Sequence, residues 1–230
     1  MTTIFPRAIM LSKCLPPALL VQQRMDSLVQ IDREVSVCTD CPLSRNRTKA
    51  VPGEGPENAE IMLIGEAPGF NEDKQGRPFV GAAGHFLDQL LGLAGLQRED
   101  VYITNTVKCR PLNNRDPLPG EMATCRKYLD RQISLLSPKV IVTLGRHSLT
   151  SFLPTETIGK ARGKARNING TTIFPMYHPA AALHQQSLRN VIEEDMKKLP
   201  ALLKEIIPSA QEAVVSAEKS ERGGEQLSMF

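Results

Sequence analysis

Apolar residues in this chain gather in short unbroken runs, separated by longer stretches with helical spacing. Glu60-Ile61-Met62-Leu63-Ile64, Val101-Tyr102-Ile103-Thr104 and Lys139-Val140-Ile141-Val142-Thr143-Leu144 are too short for buried helices and too continuous for half-exposed strands. They predict strands covered on both faces. Thr171-Thr172-Ile173-Phe174-Pro175-Met176-Tyr177 predicts a fourth strand. Between the runs the period lengthens. Helices are expected over 25–35, over 86–91 with Gly95 suited to its C-terminal cap, and over 121–136 with Met122, Tyr128, Leu129, Ile133 and Leu136 on one face. A short helix over 146–152 and a closing helix over 180–206 complete the pattern. Strands alternating with helices predict the α/β class: a single-domain, three-layer α/β/α arrangement around a mostly parallel, four-stranded central sheet.

The ends and loops carry a different pattern. Pro6, Pro16 and Pro17 break any regular element in residues 1–24, which read as an extension, with Met25 as an alternative start. The domain is expected over 25–206, followed by a polar, flexible tail over 207–230. Residues 65–84 read as a Gly-rich loop of mixed charge, and 110–119 as a turn-rich loop holding Asn113 and Asn114. Gly65-Glu66-Ala67-Pro68-Gly69 and His178-Pro179-Ala180-Ala181 each follow a predicted strand. Open α/β sheets place ligands at that end, so the two segments point to an enzyme with a small polar pocket.

Composition narrows the classes. Of 230 residues, 41% are hydrophobic, 4% are aromatic and none is Trp, so the core must be mostly aliphatic. The net charge of +3 permits a nucleic-acid partner without arguing for one. Arg45, Arg47 and Lys49, and later Arg146, Lys160, Arg162, Lys164 and Arg166, form basic clusters suited either to phosphates or to solvated loops. No apolar run is long enough to span a membrane, and Lys13 with two prolines interrupts the weakly apolar N-terminus. A cytoplasmic protein is expected. Five cysteines without a secretory signal suggest thiolate ligands in a reducing compartment. Cys38-x-x-Cys41, Cys109 and Cys125 could hold either a tetrahedral zinc or an iron–sulfur cluster, and spacing alone separates them poorly. Cys14 lies outside the set.

The run Gly65-Glu66-Ala67-Pro68-Gly69-Phe70-Asn71-Glu72-Asp73-Lys74-Gln75-Gly76-Arg77-Pro78-Phe79-Val80-Gly81-Ala82-Ala83-Gly84 resembles the first motif of family 4 uracil-DNA glycosylases. Asn105-Thr106-Val107-Lys108-Cys109-Arg110-Pro111 and His178-Pro179-Ala180-Ala181 resemble its other two, and the resemblance runs from about Met25 to Leu203. It implies a uracil-DNA glycosylase-like fold and hydrolysis of the N-glycosidic bond of deoxyuridine in single- or double-stranded DNA. It also implies a 4Fe–4S cluster on Cys38, Cys41, Cys109 and Cys125, in a bacterial, monomeric enzyme of base excision repair. Two alternatives stay open: a DNA-binding module of the same fold without the chemistry, and a zinc-bound relative acting on other deaminated bases.

The residues make chemical sense in that role. Uracil must leave the base stack before its glycosidic bond can be reached. Phe79 offers a π-face for the everted base. Asn105 offers one amide donor and one acceptor, matching the O4 and N3–H of uracil and mismatching cytosine. His178 is expected to donate to O2 as negative charge builds on the leaving base. Gly65, Glu66 and Ala67 are expected to line the uracil, with Glu66 orienting the attacking water and Glu72 walling off a thymine methyl. Alanine at position 67 stands where family 1 enzymes look to carry an aspartate, which implies dissociation to a sugar cation before water adds. Leu183 or His184 is the expected minor-groove wedge, and Arg189 a phosphate contact. The cluster-bearing sister group that bonds covalently to DNA uses a histidine in a basic insert. Lys74-Gln75-Gly76-Arg77 is short and 113–119 has no histidine, so turnover is expected. Gln226, Leu227, Met229 and Phe230 resemble the peptide that docks bacterial repair proteins on the replication sliding clamp.

Overall fold

The computed structural model describes residues 26–207. The expected extension over 1–24, Cys14, the alternative start at Met25, and the clamp peptide Gln226, Leu227, Met229 and Phe230 lie outside the described residues.

The central sheet has the order β2-β1-β3-β5-β4. Strands β1 (Ile61–Gly65), β2 (Tyr102–Asn105), β3 (Val140–Leu144) and β5 (Thr171–Met176) run parallel, as the continuous apolar runs predict. The fifth strand corrects the expected count of four: β4 (Arg166–Ile168) joins β5 as an antiparallel edge. It is short, polar and half-exposed, so no hydrophobic pattern announces it. Its turn does. Asn169 and Gly170 take φ of 50° and 88°, the two left-handed positions of a type I′ hairpin, for which Asn-Gly is the favoured pair. Pro175 lies beyond the end of β4, where its missing N–H breaks no ladder.

Alternating strand residues feed two cores. Leu63, Ile103, Val142 and Phe174 pack against α3 (Ala82–Leu93), α8 (Ser187–Met196) and α9 (Leu199–Ile206). Met62, Ile64, Tyr102 and Ile141 pack on the other face against α1 (Leu28–Val37) and α4 (Pro119–Leu136). The three layers are therefore as expected. Ser27 caps α1, accepting from the Gln30 amide at 3.1 Å, and Gly95, at φ 69°, closes α3.

Two helical expectations need correction. The Gly-rich loop contains α2 (Phe70–Gln75), whose mostly polar sequence shows no apolar period; Gly76, at φ 79°, ends it. The single closing helix is three: α7 (Ala180–His184), α8 and α9. Gln185 turns extended, at φ −135° and ψ 97°, and Pro200, which has no N–H to donate, falls at the start of α9. The short α5 (Arg146–Thr150) and α6 (Ile158–Ala161) fill the link between β3 and β4.

Candidate functional site

Parallel strands deliver their C-terminal ends to one edge. The chain moves from β1 to β2 on one side and then crosses back to β3 on the other, so a crevice opens at β1, the switch point. A cavity of about 400 Å³ sits there, lined in part by Glu66, Ala67, Glu72, Phe79, Asn105, His178 and His184. These residues come from the segment after β1, the end of β2 and the segment after β5, and the fold brings them together.

Register makes the meeting possible. Gly65 pairs with Asn105 across β1 and β2. A Cβ on Gly65 would lie 2.3 Å from Asn105 Oδ1 and 2.8 Å from the Phe79 ring. Glycine is required because two side chains occupy the volume its own would take. The following backbone is tied down on both strands: the amides of Thr106 and Val107 donate to the carbonyls of Gly65 and Glu66 at 3.0 and 3.2 Å. Asn105 is 2% exposed, and its Oδ1 accepts no hydrogen bond from the described residues. A buried acceptor without a donor costs free energy, and a bound N–H group would recover it.

Phe79 sits in an unusual conformation, φ 52°, in which β-carbon crowding is unfavourable. Three contacts hold it there. Gly84 packs beneath it, where a Cβ would lie 1.9 Å from the Phe79 carbonyl oxygen. Arg98 donates to the Phe79 carbonyl at 3.2 Å and to that of Pro78, while Glu54 at 3.1 Å and Asp88 at 3.1 Å hold the guanidinium. Glu72 Oε1 accepts from the amides of Val80 and Gly81, both at 2.9 Å. Glu72 thus lines the cavity and also braces the loop that carries Phe79.

His178 stacks on Phe79 with ring centroids 5.5 Å apart and planes 26° apart. The Ala180 amide donates to His178 Nδ1 at 3.1 Å, so the proton of the neutral ring is on Nε2. Desolvation is the main influence on this imidazole and lowers its pKa to about 4, against a weaker upward pull from Glu72. The group is a neutral donor at physiological pH. Burial pushes the Glu66 carboxyl up; His147 opposes that shift and Asp116 reinforces it. Cavity-lining Glu66 meets Asp116 and His147 with ligand atoms within 4.8 Å of one another, and Arg146 pairs with Asp116 and donates to His147 at 3.1 Å.

Leu183 stands 51% exposed beside His184, and Leu112, 59% exposed, follows the cavity-lining Pro111. Arg189 is not at the cavity. It bonds Glu193 and Gln89 at 2.9 and 2.8 Å and lies over the Phe86 ring, tying α8 to α3. Much of the later basic cluster is also engaged: Arg146 with Asp116, Arg162 with Asp195 and Arg166 with Glu156.

The four cysteines line a second, small cavity. Burial raises the thiols of Cys109 and Cys125, the latter to about 11, so both sulfurs gain if a cation replaces the proton. Arg47 donates to Cys109 Sγ at 3.0 Å and the Lys108 amide to Cys125 Sγ at 3.4 Å. A single tetrahedral zinc, with bonds of about 2.3 Å, would draw its sulfurs to within about 3.8 Å of each other. Among the described residues the only group of three or more ligand atoms within 4.8 Å is the Glu66 group, so no three of the four sulfurs lie that close together.

Sequence reasoning gave no role to Lys108, which is 1% exposed. Its ammonium donates to Thr104 Oγ1 at 2.6 Å, Gln132 Oε1 at 2.7 Å and the Asn105 carbonyl at 2.9 Å, using all three protons. It therefore joins the cysteine site to the strand end that carries Asn105. A lysine set between Val107 and Cys109, just past an apolar strand, was the available signal.

Comparisons with known proteins point to one superfamily. The family model described as "Uracil DNA glycosylase superfamily" matches residues 52–206. A type-4 uracil-DNA glycosylase of Sulfurisphaera tokodaii is 53% identical over 189 residues, which cover 77% of this chain and 86% of that protein. That of Saccharolobus solfataricus is 54% identical over 190 residues, with 78% and 88% covered. That of Archaeoglobus fulgidus is 46% identical over 187 residues, with 77% and 94% covered.

Two outcomes are expected. Gly65→Ala forces Asn105 and Phe79 apart, so ligand binding at the cavity falls by more than tenfold while thermal unfolding shows a folded protein; calorimetric titration against circular dichroism checks this. Neutral His178 binds fewer protons in the folded than in the unfolded chain between its lowered pKa of about 4 and its ordinary 6.5. Its contribution to stability is therefore full above 6.5 and falls with pH down to about 4. His178→Asn should lose less stability than the parent over that window in denaturant titrations.

Proposed function

We infer that this chain, which belongs to the type-4 group of the uracil-DNA glycosylase superfamily, excises uracil from DNA. It hydrolyses the N-glycosidic bond of deoxyuridine and leaves an abasic site for base excision repair. The observation that carries this reading is the buried, partnerless Asn105 Oδ1 beside the Phe79 face, which suits a planar ring presenting an N–H edge.

In the proposed reaction the everted base lies on Phe79. Asn105 Oδ1 accepts from N3–H and its amide group donates to O4. Cytosine would set donor against donor and acceptor against acceptor, leaving buried polar groups unpaired. His178 Nε2–H donates to O2 as the glycosidic electrons move onto the ring, and a neutral imidazole does this without giving up its proton. The sugar cation is then open to water. Glu66, whose carboxyl is pushed up by burial, orients that water at the mouth. Glu72, held by two amides, closes the side toward a thymine methyl. Leu183 and His184 fill the gap left in the duplex. No helix of the described residues is long and apolar enough to cross a membrane. The enzyme acts on cytoplasmic, nucleoid DNA, as a monomer, with residues 25–206 as its catalytic domain.

A 4Fe–4S cluster on Cys38, Cys41, Cys109 and Cys125 fits the all-sulfur donor set, the burial of the thiols and the spread of the sulfurs. When bound it supplies a cross-link rather than electrons, since hydrolysis needs none. Docking on the sliding clamp through Gln226, Leu227, Met229 and Phe230 is proposed from sequence alone.

The test is cleavage of a uracil-containing oligonucleotide. Wild type should cut it, and His178→Ala should lower kcat by about 100- to 1,000-fold. Asn105→Asp should raise excision of cytosine relative to uracil; unchanged selectivity would overturn the pairing scheme. Purified protein should be brown, with visible absorption lost in Cys109→Ser; a colourless protein carrying one zinc would overturn the cluster.

A further inference from the structure

Phe70 is 49% exposed, although it is large, apolar and next to Gly69 at the cavity wall. Two cations lie against its ring: Lys74 Nζ at 4.3 Å from the centroid and Arg110 Cζ at 5.1 Å. Arg110 also donates to Asn114 Oδ1 at 2.7 Å, and Asn114 and the neighbouring Pro111 line the cavity. The phenyl and its cations are therefore continuous with the rim, one residue from the wall on both strand-end loops.

An exposed π-face beside cations is the combination that binds single-stranded nucleic acid without regard to sequence, because every base has a face and every nucleotide a phosphate. We infer that Phe70, Lys74 and Arg110 form a stacking site for an unpaired base next to the flipped uridine, on the same strand. In this arrangement the base lies against the phenyl while Lys74 and Arg110 turn to the flanking phosphates. The exchange replaces two exposed cation–π contacts, together comparable with one base stack, and is favourable because each cation also regains a phosphate. The cavity alone reads uracil; this surface adds a preference for substrates whose neighbouring base is free to unstack, that is, single-stranded or mismatched DNA over a fully paired duplex. The inference rests on the uracil-excising reading of the cavity.

Three variants test it: Phe70→Ala, Phe70→Leu, which keeps the bulk without the π-face, and Phe70→Trp. Excision is measured on single-stranded and fully paired oligonucleotides, and binding is measured by anisotropy on a uracil-free single strand. Loss of one base stack predicts a rise of about 5- to 150-fold in KM on single strands for the Ala and Leu variants, with kcat within about twofold. A smaller rise on duplex and recovery in the Trp variant are expected, with the same ranking for the uracil-free strand. Unchanged KM and anisotropy in the Leu variant, or equal loss on both substrates, would overturn the stacking site. Absence of excision by wild type would instead overturn the cavity reading, while the uracil-free strand would still report on Phe70.

Discussion

Everything at the cavity depends on the missing side chain of Gly65. In a parallel sheet, neighbouring strands bring paired residues within about 5 Å, and their side chains normally share that space. Here Gly65 pairs with Asn105, and the volume above it is filled by the Asn105 carboxamide and the edge of Phe79. An amide edge and an aromatic face can then bear on the same small ligand. No neighbouring strand could supply the same geometry with a side chain present at position 65, because the clash is with the recognition groups themselves.

The second constraint is strain at Phe79, borne by its surroundings. Its left-handed backbone would relax unless opposed, and Gly84, Arg98 and Glu72 oppose it from three sides. Arg98 itself is held by Glu54 and Asp88, so the Phe79 face is fixed by charges well outside the cavity. A rigid face matters because stacking is short-ranged: a loop free to move would lose in ordering entropy much of what the contact provides.

What the sequence made legible follows from how each feature is encoded. Buried parallel strands announce themselves because both faces are apolar, and the lining residues Glu66, Phe79, Asn105 and His178 sit within motifs whose order along the chain is readable. The polar edge strand Arg166–Ile168 is written only in its Asn-Gly turn, and α2 only in its glycine stop. Phe70, Arg98 and Lys108 were not legible as functional, since their significance is relational: a ring between cations, a guanidinium across two carbonyls, an ammonium with three buried acceptors. Arg189 illustrates the converse. A basic residue after the third motif reads as a phosphate contact, whereas its ring and amide partners on α3 bind it to the fold.

Lys108 supplies a reason for a metal-sized clamp in an enzyme whose chemistry transfers no electrons. The Asn105 carboxamide keeps its orientation only if its backbone cannot shift, and at the end of β2 that backbone is followed by the Thr106 and Val107 amides bonded to the carbonyls of Gly65 and Glu66. The ammonium of Lys108 grips the Asn105 carbonyl and Thr104 from beneath, and Gln132 of α4 completes its coordination. Its own amide rests on Cys125 and its carbonyl receives the Val51 amide at 2.8 Å. Burying a cation this deeply is unfavourable, and desolvation lowers its pKa to about 8. Cys125 and Asp32 nearby pull the other way and favour the charged form. Four sulfurs bound to a cluster would fix α1, α4 and the loop after β2 to one another, and Lys108 would carry that rigidity one residue at a time to the Asn105 backbone.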